Sequence, residues 1–106
     1  MKTYKIVRNA DYGSFYLSRK AEQWLAKRGI HNKYPEIENL NNLPRHEPLL
    51  VECVETLGTE YASEPRLAKL EVVIIDSPRY YIANHDGLET IITPENMTEI
   101  PEGKTL

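Results

Sequence analysis

Arg45-His46-Glu47-Pro48-Leu49-Leu50-Val51-Glu52-Cys53-Val54-Glu55-Thr56-Leu57-Gly58 holds, within residues 45–58, a start signal, a helical period and a stop signal. Proline suits the first helical position, because the N–H it lacks would have no partner there, and a polar residue just ahead of Pro48 can cap the exposed amides. Leu50, Val54 and Leu57 recur at the i, i+4, i+7 spacing that puts them on one face, with Val51 and Cys53 at its margins. Gly58 closes the helix. That apolar face must be buried, so the surrounding sequence has to supply a second surface.

Upstream, residues 3–8 are rich in β-formers and stop at Asn9-Ala10-Asp11-Tyr12-Gly13, a turn cluster. Residues 14–17 resume an extended pattern. Ser18 then caps a first helix over residues 19–28, which Gly29 terminates and whose apolar face is Ala21, Trp24 and Leu25. Residues 30–44 carry four asparagines and two prolines without a sustained period, and read as a loop. Downstream, residues 59–66 are a polar connection broken by Pro65, with room for a short turn of helix. Residues 67–76 end in a solid β-branched run, Val72-Val73-Ile74-Ile75, the pattern of a central strand buried on both faces. Residues 80–83 and 88–93 flank Asp86-Gly87 as a hairpin, and residues 94–106 read as a surface tail with a short edge strand at 97–100.

The order β-β-α-α-β-β-β implies a two-layer α+β sandwich, an antiparallel sheet of four to five strands with two helices on one face. At 106 residues, with 41% hydrophobic and 27% charged side chains, the chain reads as a single folded domain spanning 1–106. No apolar run approaches the roughly 20 residues that span a bilayer, and the start reads as a strand rather than a signal peptide, so a cytoplasmic location and no membrane partner are expected. The net charge of −3 argues against general nucleic-acid binding. The single cysteine, Cys53, excludes an internal disulfide and falls inside a helix, where burial is expected.

Three strings resemble a family of small, uncharacterised phage and bacterial proteins. They are Asp11-Tyr12-Gly13-x-Phe15-x-Leu17-Ser18-x-Lys20-Ala21-x-x-Trp24-Leu25, Arg45-His46-x-Pro48-Leu49-Leu50-Val51-x-x-Val54-x-x-Leu57-Gly58, and Tyr81-Ile82 with Asp86-Gly87. Where that pattern has an aspartate before the proline, this chain has Glu47, a poorer cap. The resemblance brings no catalytic assignment. A phage setting implies proteins that sequester host signalling nucleotides or block host defence proteins, an analogy by source rather than by residue.

Arg45-His46-Glu47 is the most chemically loaded tripeptide, since a helix N-terminus favours an anion and Arg45 and His46 add donors. The competing reading is that Arg45 makes a structural ion pair while His46 and Glu47 satisfy backbone amides. Tyr12, Phe15 and Tyr16 around Gly13, with Tyr80 and Tyr81 in the hairpin, offer rings for stacking, though aromatics in strands are usually core. Seven tyrosines against one phenylalanine favour rings with an accessible polar tip. Arg19, Lys20, Lys27 and Arg28 flank the first helix, with the last two favourably placed at its carbonyl end; as a nucleic-acid site the cluster is small and lacks a motif. His31, His46, His85 and Cys53 lack zinc-site spacing, so no metal is expected. Nor is a catalytic residue or cofactor, because no Ser-His-Asp string, phosphate-binding glycine loop or paired-acid pattern is present.

The sequence therefore favours a non-enzymatic protein binding a small anionic, nucleotide-like molecule, with Arg45 and His46 on the anion and Tyr12, Phe15 or Tyr81 against the base. A homo-oligomer is expected, since a small chain gains pocket walls from a neighbour. The alternative is a protein-interaction module, an inhibitor or adaptor of a host protein, using an apolar patch or a free strand edge.

Overall fold

The computed structural model describes residues 2–94. Its elements run β1 (Tyr4–Asn9), α1 (Arg19–Lys27), α2 (Ile30–Lys33), a 3-10 turn (Leu40–Asn42), α3 (Pro48–Ala62), β2 (Leu70–Ile75), β3 (Tyr81–His85) and β4 (Leu88–Ile92). The local signals act as their chemistry requires. The Ser18 side chain accepts the Ala21 amide at the start of α1. Glu47 caps α3 by accepting the amide of Leu49, with Pro48 in the first helical position. Gly58 leaves the helical region at φ 81°, ψ 162°, so the regular helix stops there and a short turn resumes to Ala62.

The architecture is α+β, with antiparallel pairs β1–β2 and β3–β4. One face of β1–β2 carries α3, and α1 packs on α3 rather than directly on the strands. The core between them contains Val7, Leu17, Leu25, Ile30, Leu50, Cys53 and Leu70, all fully buried. Trp24 and Leu57, expected inside, are only partly buried against this core. Burial pushes the Cys53 thiol up to about 11, so it is protonated and unreactive at neutral pH.

The expected single sheet of four to five strands is not what forms among the described residues. In β1, Tyr4, Ile6 and Arg8 face β2, so the N–H groups of Val7 and Asn9 point the other way. The Val7 N–H is taken by the Arg45 carbonyl at 2.9 Å and the Asn9 N–H by the Glu89 carboxylate at 2.8 Å. With its outer edge closed in this way, β1 cannot continue a backbone ladder into β4, although β4 lies against it.

Three other expectations change. Residues 14–17 form no strand; they are pinned by single contacts, a bridge from Leu17 to Ser63 and the Leu17 N–H on Asn41 Oδ1 at 2.8 Å. Residues 30–44 are not a bare loop: Ile30, Leu40 and Leu43 are buried, which draws the segment into α2 and the 3-10 turn. β2 is not a central strand buried on both sides, since β1 is its one strand partner among the described residues and Ile74 is 62% exposed. The tail from residue 95, with its expected strand at 97–100, lies outside the described residues. No helix among the described residues is long and apolar enough to cross a membrane.

The β3–β4 turn, Asp86-Gly87, docks on Gly13, whose N–H donates to the Asp86 carbonyl at 2.9 Å. A Cβ on Gly87 would lie 1.9 Å from the Gly13 carbonyl oxygen, and its φ of +95° already disfavours a side chain. Gly87→Ala should therefore lower unfolding free energy by about 2–4 kcal/mol. Gly29→Ala, where nothing lies within 4 Å, should cost distinctly less in the same denaturant titration.

Candidate functional site

The segment that leads into α3 carries the residues of greatest chemical interest, and the fold sends them in different directions. Arg45 points to β4. Its guanidinium grips Glu89 with both prongs, Nη1 to Oε1 at 2.5 Å and Nη2 to Oε2 at 2.9 Å. Glu89 is 2% exposed, so this is a buried pair, and the Arg45 guanidinium also stacks 3.6 Å from the centroid of Phe15. The hydrogen-bond network extends outward: Arg8 Nη1 donates to the Glu89 carbonyl at 2.8 Å. Asn9, fully buried, donates to the carbonyls of Asp11 and Gly87 and accepts the Lys69 N–H. No buried side-chain polar atom among the described residues lacks a partner.

His46, one residue along, faces away from this cluster. Its Nδ1 lies 2.7 Å from the Tyr80 hydroxyl, with the rings edge-on at 5.8 Å. Burial raises the Tyr80 hydroxyl above its ordinary value, against the opposing pull of Arg45, so Tyr80 keeps its proton. Tyr4, Lys5, Ile6, Ser77 and Pro78 complete a small cleft of about 280 Å³ around the pair.

Glu47 completes the tripeptide and is fully buried. Burial alone would raise its pKa, but the Lys33 ammonium at 2.5 Å, the Leu49 amide and the Tyr34 hydroxyl at 3.1 Å outweigh it and hold the carboxyl below 4.5. The same hydrogen bond raises Lys33 above 10.5, while burial first and then Glu47 raise Tyr34.

Of the five residues expected at a ligand site, Arg45 and Phe15 therefore meet, but in an internal stack. His46 lines a separate cleft. Tyr12, 61% exposed, sits edge-on to His85 at 6.5 Å beside the hairpin turn, whereas Tyr81 pairs with Ile92 at the opposite end of that hairpin. The five do not line one pocket. Glu89 and Asn9 are not candidates by sequence, and Tyr80 is one only as a stacking ring, yet Glu89 orients Arg45 and Tyr80 orients His46. Glu89 had a legible signal: it shares a strand face with Ile91, and an acid on an apolar face needs a cation. Among the described residues no three His, Cys, Asp or Glu side chains cluster as a metal site requires.

Comparison with family models, curated proteins and solved structures gave no match, so the resemblance to small phage and bacterial proteins rests on its residue strings.

Because the folded pKa of Glu47 is depressed, its charge stabilises the fold fully above pH 4.5, and that contribution disappears as pH falls through the lower folded value. Glu47→Gln should lower stability by about 1–2 kcal/mol near neutrality. The gap between wild-type and variant melting temperatures should narrow as pH drops below 4.5; a gap that stays constant into strong acid would remove the charge from the account.

Proposed function

We propose that this chain is a protein-interaction module whose working surface is the outer edge of β2, and that the partner of this edge is β2 of a second copy. The observation that carries the reading is the state of that edge. In the β1–β2 register, Glu71, Val73 and Ile75 face β1, so Leu70, Val72 and Ile74 present their backbone groups outward. The Leu70 N–H is taken by Ser63 Oγ at 2.7 Å, while Val72 and Ile74 have no hydrogen-bond partner among the described residues. Natural edges are usually protected by lysine, proline or a bulge, and 70–75, Leu-Glu-Val-Val-Ile-Ile, has none of them.

Self-pairing fits the chemistry of this strand. An antiparallel two-fold centred on Val73 sets Val72 of one copy opposite Ile74 of the other and Glu71 opposite Ile75, with no like charges facing each other. The resulting order β1-β2-β2-β1 has four strands, within the roughly four to six typical of stable sheets. It also gives Ile74 an apolar neighbour. A small anionic ligand at Arg45 has less support, because it would compete with Glu89 for both prongs of the guanidinium.

The test is light scattering together with amide exchange. The protein should have the mass of a dimer at moderate concentration, with the Val72 and Ile74 amides protected from exchange. Ile74→Pro removes an N–H without an internal partner, so it should leave a folded monomer. A wild-type monomer at every concentration, or an unchanged dimer in Ile74→Pro, contradicts the reading.

A further inference from the structure

A second surface lies on α1, and none of its residues belongs to β2. Lys5, Arg8, Lys33, Arg45 and Lys69 each pair with a carboxylate. Several other cations, Arg19, Arg66 and Arg79 among them, have no ion pair among the described residues, but of these unpaired cations Lys20, Lys27 and Arg28 line a single concavity of about 360 Å³ with Gln23, Trp24 and Leu57. The protein has a net charge of −3, so this convergence is not a by-product of overall basicity.

Helix electrostatics accounts for only part of it. Lys27 and Arg28 sit at the carbonyl end of α1, where cations are favoured. Lys20 is in the first turn, the end that disfavours a cation, and its ammonium rests 5.0 Å from the Tyr61 ring centroid instead of on a carboxylate. Lys20 and Lys27 are seven positions apart on the helix, about 10 Å along the axis at roughly 1.5 Å per residue. Between them the floor is apolar, formed by Leu57 and the half-buried Trp24 indole, with the Arg28 guanidinium stacked 3.6 Å from the Trp24 ring centroid.

A neutral molecule would leave three charges unmatched, and a single carboxylate would satisfy only one. Two or more phosphoryl groups meet the two ammoniums and the remaining N–H groups of the Arg28 guanidinium together, while Arg28 Nη1 donates to the Trp24 carbonyl at 3.2 Å and the guanidinium plane covers the indole. We infer that this groove binds a small molecule carrying at least two phosphoryl groups, the chemistry of a diphosphate.

Trp24 is the only tryptophan in the chain, so its fluorescence reports on this groove alone. Titration with ADP should change Trp24 emission saturably, inorganic pyrophosphate should compete, and adenosine should have no effect. The signal should weaken with salt, as a multiply charged contact requires. Lys20→Gln combined with Lys27→Gln should raise the dissociation constant for ADP at least tenfold with little change in melting temperature, whereas Arg19→Gln, outside the groove, should not. No saturable response to millimolar ADP, no competition by pyrophosphate, or an unchanged dissociation constant in the double variant overturns the inference.

Discussion

The pairing of Arg45 with Glu89 ties together parts of the chain that sequence keeps far apart. Arg45 belongs to the segment that starts α3, and its carbonyl closes the edge of β1. Glu89 belongs to the hairpin, and its carboxylate closes the same edge two residues further along. One ion pair thus joins the helical layer, the first strand and the hairpin. A buried charge is costly unless fully paired, and here both guanidinium prongs, a backbone amide and an aromatic face meet the requirement. The β3–β4 hairpin is too small to be stable by itself, so its position depends on this pair and on the Gly13 contact of its turn.

The same pair determines which surfaces remain for other molecules. It occupies the strongest anion-binding group of the 45–47 tripeptide and covers one face of Phe15, removing both from the solvent-facing chemistry. Elsewhere, the backbone of β2 at Val72 and Ile74 has no hydrogen-bond partner among the described residues, and Lys20, Lys27 and Arg28 around Trp24 have no counter-charge there.

Local signals were legible because their physics is local. Ser18, Gly29, Glu47 with Pro48, Gly58 and Asp86-Gly87 each act within a few residues, and each starts, ends or turns an element where the sequence places it. The sheet was harder to read, because whether β1 accepts a further strand depends on a carbonyl from Arg45 and a carboxylate from Glu89, both far away in sequence. The β-branched run of β2 looked doubly buried since an exposed edge strand and a central strand share the same residue preferences. At the candidate site, the competition between anion pocket and structural ion pair for Arg45 hinged on where the partner acid lay. Its position opposite Arg45 is a tertiary fact.

The most direct measurement is a double-mutant cycle on Arg45→Met and Glu89→Leu, following unfolding free energy together with amide protection in β3 and β4. Each single change should cost about 3–5 kcal/mol, because it leaves an uncompensated buried charge, and should strip protection from the hairpin. The double variant should recover part of that loss, with a coupling energy of about 1–3 kcal/mol. Strictly additive effects, with hairpin protection unchanged in the single variants, would contradict the role given to this pair.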